Sequence, residues 1–285
     1  MKKSVKIGLI LAICVIIATI FIVIDINDNT EKIIVAVEEN PPYTYTTAPA
    51  SAYFEENSAN AAKSSASLKF QGFDIDVLNE VAKRAGLKVE YRDIPFSEML
   101  EQMKQKLPQP TNFFQRYLAK KVEIDLAVGG ISITDERKKF AEYTIPFATG
   151  GAGLVTLRSA DINSPDALSG KTVGVELATT MEDQARMIPG IKIKIYRDQQ
   201  SLLADLLKGA IDAMVIDRIA ADFYIKEQKM NQLKTINIGA DEQFAMLARK
   251  GNFKLIDKLN KVLAEMQQSG ELKKIHDKWF NKTQP

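Results

Sequence analysis

QGFDIDVLNEVAKRAGLKVEY, residues 71–91, reads as a helix stopped by a glycine and followed at once by a strand. Ile75, Leu78, Val81, Ala82 and Ala85 recur at three- and four-residue steps, which lines them along one face of a helix over 74–86. Gly86 closes that helix, since glycine readily takes the left-handed conformation in which helices end. LKVEY (87–91) then reads as a strand, and upstream the β-branched run IIVAV (33–37) reads as another. The local unit is strand, helix, strand.

The same alternation continues along the chain. SEMLEQMKQKL (97–107) is a helix with Ser97 as its cap, and IDLAV (124–128) is a strand ending at Gly129-Gly130. KTVGV (171–175), IKIKIY (191–196) and DAMVI (212–216) are strands separated by helices that begin near Thr179 and Ser201. QFAMLA (243–248) is a further strand, followed by helices over 253–270 and 271–280. Strands separated in this way imply parallel α/β sheets covered on both faces, and two such series imply two lobes. Two stretches have weak periodicity: 46–70, rich in Ala, Ser and Asn, reads as a long surface loop, and in 106–123 two prolines break one helix before a second begins.

With 285 residues the chain can build two domains, each with its own core. Its 38 lysines and arginines nearly balance 36 acidic residues, and Lys2, Lys3 and Lys6 supply the small excess. Nucleic acid is set aside as a partner, because phosphate backbones demand clustered cation. Cys14 and His276 are the only residues of their kinds, which excludes a Cys/His zinc site or a Cys-His nucleophile pair; no metal, cofactor or catalytic residue is expected. IGLILAICVIIATIFIVI (7–24) carries no charge and, as a helix, would reach roughly 27 Å, close to the hydrocarbon thickness of a bilayer. The lysines before it place that end in the cytoplasm and send residue 25 onward outside. The segment is long for a secretory signal and lacks small residues at its end, so it reads as a retained anchor.

QGFDIDVLNEVAKRAG resembles the signature of the family 3 extracellular solute-binding proteins, with Gly72, Phe73, Asp74 and Asp76 opening the first helix. The resemblance continues through ENPPYTY (39–45), DLAVGGISITDERKKFAEYTIPF (125–147), GKTVGVELATTMEDQA (170–185), DAMVIDRIAADFY (212–224) and SGELKKIHDKWF (269–280), in family order. The chain is similar as well to the ligand core of ionotropic glutamate receptors, but a channel would need pore helices between the lobes, and no second hydrophobic span is present. The resemblance implies a type II periplasmic-binding-protein-like α/β fold with two lobes joined by two crossover strands. Its lobe one would comprise 31–150 and 240–285, lobe two 151–239, with 1–30 as signal or anchor. Free α-amino acids are the usual ligands of this family.

An amino acid in water carries a carboxylate and an ammonium, so a pocket must replace both hydration shells with fixed groups of opposite sign. Arg137, in a first helical turn capped by Thr134, can grip a carboxylate with two parallel hydrogen bonds, and the resemblance gives it that role. Thr179 and Thr180 open a helix after a strand and offer hydroxyls and free N–H groups to the same anion. Asp217 stands at the carboxyl edge of a parallel strand, where ligands of open α/β sheets bind, and would take the ammonium with Ser132 and the carbonyl of Gly130. The resemblance makes Tyr43 an aromatic wall against the ligand, while Asn40 stands where many amino-acid binders carry an aromatic. Glu38, Glu39 and Glu176 lie in or beside pocket segments and would favour a basic side chain. Asp74 and Asp76 read as cap and dipole partners of their helix, Trp279 as packing and His276 as surface.

The leading expectation is a monomeric extracytoplasmic receptor that closes on an amino acid and presents it to the permease of an ABC importer. A sensor passing an amino-acid signal to a membrane partner is a second reading. A dehydratase-like enzyme is a third, weakened by the lack of a clear acid/base pair.

Overall fold

A computed structural model of the chain describes residues 30–46, 69–105 and 124–280. The apolar segment 7–24, nearly all of the expected loop 46–70 and the whole of 106–123 lie outside these residues. In chain order the elements are β1 (Glu31–Val37), β2 (Tyr45–Thr46), β3 (Phe70–Gln71), α1 (Phe73–Arg84), β4 (Leu87–Asp93), α2 (Phe96–Lys104), β5 (Leu126–Ala127), α3 (Asp135–Lys138), β6 (Ala141–Tyr143) and β7 (Ala148–Leu157). There follow β8 (Thr172–Glu176), α4 (Thr180–Arg186), β9 (Lys192–Tyr196), α5 (Gln199–Leu207), β10 (Ala213–Asp217), α6 (Arg218–Lys226), β11 (Leu233–Phe244), β12 (Leu247–Arg249), α7 (Phe253–Gln268) and α8 (Glu271–Phe280).

Among the described residues the longer strands form two five-stranded sheets, ordered β4-β1-β5-β12-β6 and β11-β7-β10-β8-β9. Both are mixed, which corrects the expectation of parallel sheets. β4, β1 and β5 run parallel, as do β10, β8 and β9, but β12 runs against β5 and β6, and β7 against β10 and β11. The two long antiparallel strands escaped the periodicity reading for identifiable reasons. ATGGAGLVTL has glycines at 150, 151 and 153 in place of β-branched residues, and LKTINIGADEQF is largely polar because much of it is exposed. The stretch 243–248, read as one strand, divides between the end of β11 and the start of β12.

Each sheet has helices on both faces, because each helix has one apolar stripe to bury. Against one face of the first sheet lie α1, through Phe73, Val77, Leu78 and Val81, and α7, through Leu255, Leu259, Leu263 and Met266. Met99 and Met103 of α2 cover the other face. In the second sheet, Leu202, Leu203 and Leu206 of α5 pack with α6 on one side, and Met181 and Ala185 of α4 on the other.

The β7–β11 ribbon ties the halves together. It pairs from Leu157↔Leu233 to Ala148↔Phe244, with a register shift between Asn237 and Asp241. Its end is bound to the first sheet's loops: Ile133 N–H donates to Gln243 O at 2.9 Å and Ala245 N–H to Ile131 O at 3.0 Å. Within the first half, the chain's last helix is tied to α1. Asp76, expected to serve only its own helix, accepts from Lys278 Nζ at 2.6 Å and from Trp279 Nε1 at 2.7 Å. Trp279 thus packs as expected, and half-exposed His276 sits edge-on to Phe73 and Phe280.

Leu259 is fully buried in the larger core, so truncation removes its contacts and leaves a cavity. Leu259→Ala is expected to lower unfolding free energy by about 2–5 kcal/mol in a urea titration; a loss under about 0.5 kcal/mol would contradict this packing.

Candidate functional site

A cavity opens between the two sheets. Its lining comes largely from the carboxyl ends of parallel strands: Glu38 after β1, Gly129 and Gly130 after β5, Glu176 ending β8 and Asp217 ending β10. Parallel strands deliver their last residues to one rim, and loops starting there can vary without disturbing the sheet.

Arg137 reaches this cavity from α3. The cap expected at Thr134 is present, its hydroxyl accepting from Arg137 N–H at 3.1 Å. The guanidinium is buried, with the residue 6% exposed. Nη1 donates to Ser132 O at 2.9 Å and Nη2 to Ala178 O at 3.1 Å, so it links loops of both halves. Its plane lies over the ring of Phe96, 4.9 Å from the centroid. Among the described residues no carboxylate comes within ion-pair distance of it. Burial pulls its pKa below the ordinary guanidinium value, opposed chiefly by Tyr143 and Glu242. Ala178, whose carbonyl turns toward Arg137, has φ 66°, a conformation uncommon outside glycine.

Asp217 faces the cavity from β10. Its Oδ1 accepts from Tyr43 Oη at 2.8 Å, Ile219 N–H at 2.9 Å and Ala220 N–H at 3.3 Å, and Oδ2 accepts from Gly151 N–H at 2.9 Å. It therefore caps α6 and lines the cavity at once. Burial pushes its pKa up, against all four donors. Gly150 has to be glycine for this arrangement, since a Cβ there would lie 2.4 Å from Asp217 Oδ2 and 2.3 Å from Phe244 Cζ.

Tyr43 is corrected by this geometry. It is fully buried and absent from the cavity wall, with its ring edge-on to Phe244 at 5.4 Å and its hydroxyl on Asp217. It orients the carboxylate and backs Gly130, where a Cβ would approach Tyr43 Cδ2 to 2.9 Å. The aromatics that do line the cavity are Phe96 and Phe244, which the sequence reading passed over. Asn40 also lines the cavity and donates to Gly129 O at 2.9 Å.

Ser132 sits with the guanidinium. Its carbonyl holds Arg137, and its hydroxyl donates to Glu242 Oε2 and lies 3.3 Å from Thr180 Oγ1. Thr180 Oγ1 also donates to Glu242 Oε2, at 2.8 Å. Glu242, on the ribbon strand β11, thus bridges the two halves, a role nothing in its exposed-looking sequence signalled. Thr179 caps α4, its hydroxyl accepting from Glu182 N–H at 3.2 Å, and lines the cavity with Thr180.

Glu38 and Glu176 both line the cavity, whereas Glu39 turns away to accept from Thr46 N–H at 3.0 Å. Glu38 Oε2 accepts from Phe96 N–H at 2.6 Å, serving the first turn of α2 in place of the expected Ser97 cap. Burial first, and then the Glu176 carboxyl, drive the pKa of Glu38 strongly upward; burial also raises Glu176.

A profile of the bacterial extracellular solute-binding proteins, family 3, matches residues 109–282. The chain belongs to that family. A profile of the ligated ion channel L-glutamate- and glycine-binding site matches residues 31–160. The arginine-binding extracellular protein ArtP of Bacillus subtilis is 30% identical over 213 residues, covering 73% of this chain and 77% of the relative. The L-cystine-binding protein TcyJ of Escherichia coli is 28% identical over 215 residues, covering 74% and 75%. The solved arginine-, lysine-, histidine-binding protein ArtJ from Geobacillus stearothermophilus superimposes with a TM-score of 0.71 at 26% identity, covering 88% of this chain and 96% of that one. Family membership makes this an extracytoplasmic solute-binding protein with the two-lobed α/β fold. None of the described helices is long and apolar enough to cross a membrane.

In this family 3 protein the loop that carries Gly129 and Gly130 is pinned from below by Asp74. The helix-cap reading is corrected here: α1 has Gly72 at its cap position, and Asp74 Oδ2 instead accepts both glycine N–H groups at 2.9 Å. Oδ1 has no hydrogen-bond partner among the described residues, and burial pushes the carboxyl up from 3.8 to about 6 despite those donors. A carboxyl with a raised pKa in the folded state adds stability below its unfolded pKa and loses it as pH rises through the folded value. The stability of the protein minus that of Asp74→Asn is therefore expected to fall between about pH 4 and about pH 7, by up to roughly 3 kcal/mol. Urea titrations at both pH values check this, and an unchanged difference would contradict it.

Proposed function

We propose that this chain captures a free α-amino acid between its lobes outside the cytoplasm and delivers it to the membrane permease of an ABC importer. Lobe one is assigned 31–150 and 240–285 and lobe two 151–239, with the N-terminal apolar segment holding the protein at the outer face of the membrane. Arg137 takes the ligand's α-carboxylate, joined by Thr180 and Thr179 at the start of α4. Asp217 takes the α-ammonium, with Gly130 beside it.

The observation that carries this reading is the buried guanidinium of Arg137, which faces a cavity, is held by two carbonyls and has no carboxylate at ion-pair distance among the described residues. Burying an unpaired charge is costly, and an arriving carboxylate removes that cost. Asp217, a buried carboxylate at the same cavity, presents the converse demand for a cation. A zwitterion meets both. The contacts come from both sheets, so the closed arrangement offers a shell that an open one would split, and ligand shifts the population toward closure. The cavity binds its solute without turning it over, and the names of the relatives, which bind arginine or cystine, favour that reading.

Thermal unfolding in the presence of each of the twenty amino acids tests the proposal. A ligand at about 100 times its Kd is expected to add about 2.7 kcal/mol of stability. Arg137→Ala is expected to weaken binding of that ligand by about 100-fold or more, since a buried charge-assisted pair is lost. Full affinity in the variant would remove Arg137 from the site, and recovery of a chemically altered ligand would contradict simple binding.

A further inference from the structure

Beyond the groups that grip the α-carboxylate and α-ammonium, the cavity has a second polar region made from Glu38, Glu176 and Gln199. Glu38 follows β1 of the first sheet and Glu176 ends β8 of the second, yet both line the one cavity, and the Glu176 carboxyl is close enough to raise the pKa of Glu38. Gln199, the first residue of α5, is 4% exposed, and its Oε1 has no hydrogen-bond partner among the described residues. A buried acceptor left without a donor costs about 1–3 kcal/mol. Asp198 adds a further negative charge beside this pair, with its carboxylate turned to the start of α5, accepting from Ser201 N–H at 2.7 Å.

What surrounds these acceptors is short of donors. Glu38 receives the Phe96 N–H, but no lysine or arginine comes within ion-pair distance of Glu38, Glu176 or Asp198 among the described residues. The cavity's own cation, Arg137, is committed to the carbonyls of Ser132 and Ala178 and packed against Phe96. Phe96, Met99 and Met181 give the intervening wall an apolar surface suited to a methylene stem.

We propose that Glu38, Glu176 and Gln199 form a subsite for the cationic side chain of the captured amino acid, a guanidinium or an ammonium with several N–H donors. The proposal rests on the amino-acid reading above and names the substrate class for the same cavity. Without a ligand, burial and the neighbouring like charge keep a proton on this pair of carboxyls. A cationic side chain supplies charge and donors to both carboxylates and to Gln199 Oε1, and the shared proton leaves to solvent. Both carboxyls have raised pKa values before binding and lowered ones after it, so affinity rises with pH and falls in acid. Glu176, Asp198 and Arg137 are the charged groups around Glu38 that enter this balance.

The test is calorimetric titration of the full chain with L-arginine, L-lysine, L-citrulline and L-glutamine, in buffers of different ionisation enthalpy at about pH 6 and about pH 8. Arginine or lysine is expected to bind at least about 100-fold tighter than citrulline, with proton release and tighter binding at the higher pH. In Glu38→Gln and Glu176→Gln the cation-to-citrulline preference is expected to shrink by about tenfold or more, with circular dichroism showing that each variant is folded. If either variant fails to fold, proton release by the unaltered protein decides alone. Citrulline or glutamine binding as tightly as arginine and lysine, with binding still dependent on Arg137, would overturn the cationic subsite and leave the amino-acid reading standing. Absence of binding by any α-amino acid would overturn both.

Discussion

A guanidinium sealed in the interior, held by two carbonyls with no carboxylate at ion-pair distance among the described residues, governs this molecule. Carbonyl oxygens meet the geometry of Arg137 but bring it no carboxylate at ion-pair distance, and Ala178 adopts an uncommon backbone conformation in presenting one of them. Ser132 and Ala178 belong to loops of different sheets, so the contacts that hold the guanidinium also hold the halves near one another. An anion placed there gains the charge that the carbonyls cannot supply, and with it a reason for the halves to stay together.

The rest of the fold positions that charge and its counterpart. Parallel strands end on one rim in each half, which brings Glu38, Gly130, Glu176 and Asp217 to a single cavity from distant points in the chain. Behind them lies a layer that is not part of the cavity wall. Tyr43 orients Asp217, Asp74 pins the two glycines, and Gly150 lets β7 pass close under the carboxylate. Glu242 spans Ser132 and Thr180 from the ribbon, so the connection between the halves also reaches the cavity.

Helices and parallel strands were legible in the sequence because their apolar spacing is local: α1, β4, α7 and α8 all fall near the expected bounds. Arg137, Thr179, Thr180, Ser132, Gly130 and Asp217 could be named because each stands beside a strand end or helix start that the pattern reveals, and all of them line the cavity. The antiparallel ribbon could not be seen, since glycine and exposed polar residues erase the alternation. Tyr43 was misplaced for a related reason: a motif gives position along the chain, while the direction of the ring depends on packing against Phe244 and Phe280. Phe96 and Gln199 follow strands β4 and β9, so the strand-end rule applied to every parallel strand would have found both. Glu242 carries no such signal, because its role comes from where the ribbon crosses.

The most direct measurement is a crystal structure of the protein with the amino acid that stabilises it most. The account predicts the α-carboxylate on the Arg137 guanidinium and the α-ammonium against Asp217, with both lobes touching the ligand. A ligand lying outside this cavity, or one inside it whose carboxylate avoids Arg137, would contradict the account.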